Sequence, residues 1–286
     1  MSVEVIVLIM FGSLLILLIC GVPIAFALGG VSVGIVYFLQ GPNVLITMVY
    51  STFALMWQIL FVTIPLFVFM GAVLQRSGIA GGLYEAAHRW TGSMRGGLSI
   101  GTVLVGVFFA AMTGITGAST VTMGIIAIPS MLSRGYNKRL AIGSVAGAGS
   151  LAILIPPSIP MVLLALFTRQ SVGKMLMGGI IPGMLIASFF ITYIVITGIL
   201  RPAACPPHPD RFTLKEKIIS SKGMLLPLGL ISMVLGSMFF GLATPTESAA
   251  LGALGTIVCC GIQGRFSFKL IQEACIDTCL LYTSDA

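Results

Sequence analysis

From Val3 to Ile262 the chain is a succession of apolar stretches, with nearly all of its charge held in short polar breaks between them. A helix needs ~20 predominantly apolar residues to cross a hydrocarbon core. On that measure Val3–Cys20 and Pro23–Leu39 read as two spans parted at Gly21-Val22-Pro23, and further apolar segments follow at 52–74, 98–133, 140–168, 175–200, 223–241 and 246–262. Composition agrees: 57% of residues are hydrophobic and 8% charged, against about 25% charged in a soluble domain. Too few charges remain to cover a water-facing surface, which argues against a cytosolic enzyme and against a nucleic-acid binder. The net charge of +7 is a topology signal instead. The start carries Glu4 rather than a basic stretch, and its apolar run continues past any plausible cleavage site, so a cleavable signal peptide is not expected.

The segment 98–133 is interrupted by Thr113-Gly114-Ile115-Thr116-Gly117-Ala118-Ser119-Thr120. The apolar arms on either side each reach only ~20 Å at ~1.5 Å per residue, short of a ~30 Å hydrocarbon core. A re-entrant hairpin with its tip inside the membrane is therefore expected. With the N-terminus outside and every other segment crossing once, all of the 15 Lys and Arg residues except Arg169 and Lys174 fall on one side. That side is the cytoplasm by the positive-inside rule.

A second break, Ile155-Pro156-Pro157-Ser158-Ile159-Pro160, lies in the middle of 140–168. It cannot be continuous helix, because proline lacks an N–H and disfavours α conformation in the residue before it. Irregular backbone survives at membrane depth only where protein or a cavity receives it. A broken helix at the depth of a hydroxyl-rich hairpin tip is the pattern of an ion-coupled transporter, in which freed carbonyls hold a cation and helix N-termini attract anions. Thr113, Thr116, Ser119 and Thr120 supply hydroxyls, and Gly114 and Gly117 allow unwinding. Oxygens of this kind suit Na⁺ better than a transition metal. Apart from Glu4 at the very start of the first span, Glu247, in Ala243-Thr244-Pro245-Thr246-Glu247, is the one acidic residue in a span; a helix cap and a substrate or proton role are both open to it.

Catalytic readings fail on composition. No Asp precedes Asp210, which leaves no pair of membrane aspartates, and His88 and His208 both fall in loops, away from any serine that would need a base. The Gly-rich runs lack a Gly-Lys-Ser/Thr ending, so this chain does not hydrolyse ATP. Cys20, Cys205, Cys259, Cys260, Cys275 and Cys279 show no CxxC pairing and read as packing residues. No enzyme activity and no cofactor beyond a coupling ion is expected. Tyr84–Trp90 reads either as a short amphipathic interfacial helix or as an ordinary connector.

Gly21-Val22-Pro23 finds an echo in Gly241-Leu242-Ala243-Thr244-Pro245, each at the junction of paired apolar spans. The first pair starts outside and the second inside, which is an inverted repeat. Carrying the interval from Pro23 to Pro245 over to the hairpin puts its partner, and a second broken helix, beyond residue 286. The chain then reads as one half of a longer protein plus the first helix pair of the other half. Residues 279–286, CLLYTSDA, look like a translated sequencing adapter and are expected to be non-native.

IPLFVFMGAVLQRSG (64–78), FFAAMTGITGASTVTMGIIAIPSML (108–132), RGYNKRLAIG (134–143), LAILIPPSIPM (151–161) and GLATPTESAALGA (241–253) together resemble the large membrane subunit of tripartite ATP-independent periplasmic (TRAP) transporters. The resemblance implies an all-α polytopic membrane protein, an inverted-repeat elevator-type transporter with a re-entrant hairpin and a broken helix. It implies scaffold helices over 1–97, a transport-domain hairpin (98–133) and broken helix (140–168), and a linking span at 175–200. A cytoplasmic connector at 201–222 and the first helix pair of the second repeat at 223–278 follow. The implied function is Na⁺-coupled import of organic acids, C4-dicarboxylates among them, across the bacterial inner membrane, with the N-terminus periplasmic. The implied partners are a small four-span membrane subunit, a periplasmic solute-binding protein and the lipid bilayer. The first Na⁺ site carries over to Thr113, Thr116 and Ser119, with backbone carbonyls around Leu151, Leu154 and Pro156; Gly114, Gly117, Thr120, Pro157 and Ser158 are candidates for the substrate. A stand-alone dicarboxylate symporter and a non-transporting membrane scaffold subunit remain as alternatives.

Overall fold

The computed structural model describes residues 2–91, 94–206 and 213–283, and among these every regular element is helical. The chain forms two compact units that part after Phe61.

The first unit holds α1 (Val3–Ile19), α2 (Ile24–Gln40) and α3 (Asn43–Met56). The break at 20–23 falls where Gly21 takes φ +81° and Pro23 sits at the N-cap of α2. In these three helices Ala27 is the one residue classed as buried, while Val3, Leu8, Phe26 and Phe38 stand well exposed. A helix that is apolar all round faces protein or lipid rather than water.

The segment expected at 52–74 is divided. The α3 helix stops at Met56, a 3-10 turn covers Ile59–Val62, and α4 runs Thr63–Arg76. Pro65 explains the boundary: it has no N–H to continue an upstream helix and is tolerated in the first turn of a new one.

In the second unit α4 packs against α12 (Pro245–Ile262), α13 (Phe268–Thr283) and α6 (Gly97–Thr113). The α5 helix (Ile79–Thr91) covers the Tyr84–Trp90 stretch. It turns Leu83, Tyr84, Ala86, Ala87 and His88 inward and packs on α6 and α11 (Leu214–Phe239). The 98–133 segment folds as two antiparallel arms, α6 and α7 (Thr116–Leu132), and α8 (Lys138–Ser150) packs on both. The 140–168 segment is α8, a 3-10 turn at Leu151–Ile153, a non-helical stretch, and α9 (Ile159–Phe167), after which α10 (Val172–Leu200) is continuous.

The connector is shorter than the 201–222 expected. Thr213 and Glu216 form a reciprocal capping box, with the Thr213 N–H donating to Glu216 Oε2 at 2.9 Å, so α11 starts at Leu214 rather than 223. Pro207, His208, Pro209, Asp210 and Arg211, like Ser284, Asp285 and Ala286 of the tail, lie outside the described residues. Within α11, Lys215–Ser221 and Gly223–Phe239 meet at 45°. The ring of Pro227 opposes the carbonyl four residues back, at Gly223, which accounts for the bend.

By length and composition, three stretches of the described residues suffice to cross a membrane: Ile59–Arg76, Val172–Leu200 and Pro245–Ile262, or four with the bent α11. The arms of the hairpin, α1, α2 and α3 are shorter apolar helices. The eight apolar segments of the sequence are thus not eight full-length helical spans.

The core of this unit combines large buried side chains, such as Phe67, Phe109, Met112 and Met123, with close helix approach at small residues. A Cβ on Gly106 of α6 would sit 2.4 Å from Ala148 Cβ and 3.1 Å from Ala148 O of α8. Small residues let membrane helices approach through van der Waals contact where no hydrophobic drive exists between them. Gly106→Ala is expected to destabilise the unit by about 1–3 kcal/mol through overpacking. Gly229→Ala, in open space on α11, should be neutral or stabilise by roughly 0.5–1 kcal/mol. Thermal unfolding in detergent distinguishes the two signs.

Candidate functional site

The hairpin tip is narrower than the Thr/Gly cluster predicts. Only Gly114 and Ile115 separate α6 from α7, and Thr116, Gly117, Ser119 and Thr120 already belong to the first turns of α7. Back-bonding explains the economy: Thr113 Oγ1 donates to Phe109 O at 3.0 Å and Thr120 Oγ1 donates to Thr116 O at 2.8 Å. Hydroxyls that find a carbonyl in their own helix leave the helix intact.

The chain reverses at Gly114, which takes φ +61° as the C-cap of α6. A Cβ there would lie 2.5 Å from the carbonyl oxygen of Pro157. The hairpin tip therefore rests directly on the proline break, which the sequence suggests only by depth. A second contact reinforces the first: a Cβ on Gly149 of α8 would overlap Thr120, with its Cα at 3.0 Å.

Four helix ends meet here. The α6 and α8 helices bring C-termini, the carbonyls of α8 already engaged at Gly147, Ala148 and Gly149 by Ser150 Oγ and Leu151 N, while α7 and α9 bring N-termini with unbonded N–H groups. Neither N-terminus is closed by a side chain. Ile115 is the N-cap of α7, and the Ser158 hydroxyl at the N-cap of α9 donates instead to Ile153 O. No Asp, Glu, Lys, Arg or His occurs anywhere in 98–133 or 140–168. The site is thus formally neutral, with partial negative and partial positive ends side by side.

The candidate residues divide on this geometry. Thr113 and Ser158 are buried, Thr116 is half-buried, Gly117 is exposed, and Ser119 is fully buried with no hydrogen-bond partner for its Oγ. A buried hydroxyl without a partner costs about 1–3 kcal/mol. The carbonyl of Leu151 accepts from Leu154 N at 3.0 Å and Ile155 N at 2.9 Å, and that of Leu154 faces α10, 2.3 Å from where a Cβ on Gly179 would be. Pro157 is the residue whose carbonyl meets the tip. The Pro156–Pro157 bond is cis.

Glu247 has a local task. Thr244 is the N-cap of α12, its N–H and Oγ1 donate to Glu247 Oε2 at 2.7 and 2.8 Å, and the Glu247 N–H donates to Thr244 Oγ1 at 3.3 Å. This is a capping box on an exposed carboxylate.

Two contacts at the hairpin carry no signal that spacing alone reveals. Gly71 of α4 approaches Thr113 so closely that a Cβ would lie 2.8 Å from Thr113 Cα. Gln75, the one polar side chain in the interior of α4 beyond its first turn, donates through Nε2 to Thr122 Oγ1 and, at 3.3 Å, to Ala118 O. A lone amide in an apolar run was the available clue to Gln75. At the base of the hairpin the Tyr136 hydroxyl accepts from Leu98 N at 3.3 Å, and burial pushes that phenol up to about 12. Among the described residues no three His, Cys, Asp or Glu side chains converge.

Gly114→Ala is expected to undock the tip, because left-handed backbone costs an L-residue about 1–2 kcal/mol and the new methyl would meet Pro157 O. Hydrogen exchange of the amides of 114–116 and of Leu154, Ile155 and Ser158 should accelerate in that variant. Gly117→Ala, with nothing within 4 Å, should leave it unchanged.

Residues 11–284 match the family described as "Tripartite ATP-independent periplasmic transporter, DctM component". The chain is similar to the C4-dicarboxylate TRAP transporter large permease protein DctM of Pseudomonas aeruginosa, with 40% identity over 67% of this chain and 44% of that one. It is also similar to the isethionate TRAP transporter permease protein DctMQ of Oleidesulfovibrio alaskensis, at 30% over 94% and 42%. The ectoine/5-hydroxyectoine TRAP transporter large permease protein UehC of Ruegeria pomeroyi matches at 29% over 87% and 58%. The chain spans about half the length of these curated relatives.

Proposed function

Because the chain belongs to the DctM-component family of TRAP transporters, whose members are membrane transport components and not enzymes, we propose that it is the large permease subunit of a Na⁺-coupled importer of small organic acids. The observation that carries this reading is the contact of Gly114 with the Pro157 carbonyl, where four helix ends converge in a site without formal charge.

The oxygens fit the ion. Na⁺ is a hard cation, and hydroxyls and carbonyls suit it. Ser119 Oγ is buried and unpartnered, Thr113 and Thr116 stand near it in sequence at the tip, and the Pro157 carbonyl meets the tip at Gly114. These groups would take the ion at the carbonyl-rich ends of α6 and α8. The open N–H groups of α7 and α9, with Thr120 and Ser158, would receive an anionic group of the substrate. Binding of the ion would hold the tip against the break and so assemble the anion site.

Relatives are named for C4-dicarboxylates, isethionate and ectoines. That spread agrees with a site that reads a small polar group through backbone dipoles, while a periplasmic binding protein selects the substrate. The same reading includes a small membrane subunit as partner, an inner-membrane location with the N-terminus periplasmic, and an elevator motion of the 98–168 region. An inverted repeat is supported by element boundaries. The α1–α2 and α11–α12 pairs both break at a glycine of positive φ, Gly21 at +81° and Gly241 at +70°, followed by proline.

In detergent, this chain is expected to unfold at higher temperature in NaCl than in choline chloride of equal strength. The gain should reach ~2.7 kcal/mol at a hundred times the dissociation constant. Ser119→Ala should abolish the Na⁺ effect without lowering stability in choline, since it removes an unsatisfied hydroxyl. In a family-length version, Thr116→Ala and Ser119→Ala should weaken the Na⁺ dependence of uptake. Unchanged Na⁺ activation in both would remove the hairpin from the ion site.

A further inference from the structure

Away from the hairpin tip, a cavity of about 560 Å³ opens between α6, α8 and α10, within the ~300–1,000 Å³ of ordinary small-molecule pockets. Its two ends differ in chemistry. At one end stand Arg139, in the first turn of α8, Arg201, the C-cap of α10, and Asn137, the N-cap of α8. The wall leading away from them is apolar, with Leu140, Phe190 and Tyr193.

Neither guanidinium has an ion-pair partner among the described residues. Asn137 does not serve them, since its Oδ1 accepts from Arg139 N at 2.9 Å to cap α8. The cavity floor is fixed from beneath. Asn137 N donates to Ala204 O at 2.8 Å, Gly96 N donates to Cys205 O at 3.3 Å, and Cys205 is fully buried. Two cations without an ion-pair partner among the described residues thus stand at helix ends on a fixed floor, beside a wall that is largely apolar.

We propose that this cavity binds an anionic phospholipid, its phosphodiester held by Arg139 and Arg201 and one acyl chain laid against Leu140 and Phe190. A free phosphate shares the headgroup chemistry but makes no use of the apolar wall, so the lipid is the occupant that satisfies both ends. Basic pockets between membrane helices on the cytoplasmic side are the recognised setting for such headgroups, and both arginines fall on that side by the distribution of basic residues. The proposal needs only a membrane-embedded chain and stands apart from Na⁺ coupling.

The test is native mass spectrometry of the purified chain with phosphatidylglycerol and phosphatidylcholine of identical acyl chains, and with inorganic phosphate alone. Wild type should retain phosphatidylglycerol in preference to phosphatidylcholine and keep it in excess phosphate. Each arginine is expected to contribute about fivefold, so Arg139→Gln with Arg201→Gln should lower the preference by on the order of 20-fold. The lysine pair at the same positions should restore most of it, and Arg169→Gln should leave it unchanged. Equal retention of both lipids by wild type, persistence of the preference in the glutamine pair, or displacement of the lipid by phosphate would overturn the proposal. The wild-type comparison and the lysine pair keep the test decisive should the glutamine pair not fold.

Discussion

In lipid, a backbone N–H or C=O without a partner has no water to turn to, and each such group costs several kcal/mol. The second unit breaks its helices twice at depth, at Gly114–Ile115 and at Leu154–Ser158, and places one break on the other. Each exposed set of helix ends is thereby enclosed by protein. What the enclosure leaves unsatisfied are N–H groups at the starts of α7 and α9, carbonyls at the end of α6 and the Ser119 hydroxyl.

The enclosure works only at short range, and small residues supply that range. Gly106 sits on Ala148, Gly71 on Thr113, Gly149 on Thr120, and Gly179 on the Leu154 carbonyl. Each pair joins an arm of the hairpin or the broken helix to a neighbour. Any side chain larger than hydrogen on the glycine member would push backbone against backbone. Fully buried Phe109, Met112, Met123 and Leu151 fill the space around these contacts, and Gln75 adds hydrogen bonds across the hairpin.

How far the sequence reveals this depends on the kind of signal. Proline and glycine act locally, and so the two breaks, the hairpin arms and the start of α12 are legible directly. The capping box at Thr213 and Glu216 is equally local, yet it was hidden because basic residues around Lys215 and Lys217 make the start of α11 resemble a loop. The division at Trp57–Val62 was hidden by uniform hydropathy, with Pro65 as its only mark. The approach of Gly71 to Thr113 and of Gly114 to Pro157 joins residues distant in the chain, and no pattern within a single segment encodes such a pairing.

Glu247 illustrates how a local rule narrows a functional one. A carboxylate in an apolar segment invites a proton relay. Here Oε2 of the carboxylate and the backbone N–H are engaged by Thr244 at the start of α12. The equivalent helix start at α2 uses Pro23 with no side-chain cap, so the acidic residue accompanies a different way of starting a helix rather than a different chemistry at the break. With Glu247 assigned to its helix, the hairpin and the broken helix contain no titratable group at all. Any cation recognised there would have to be held by neutral oxygens, which is the physical ground for the Na⁺ coupling proposed above.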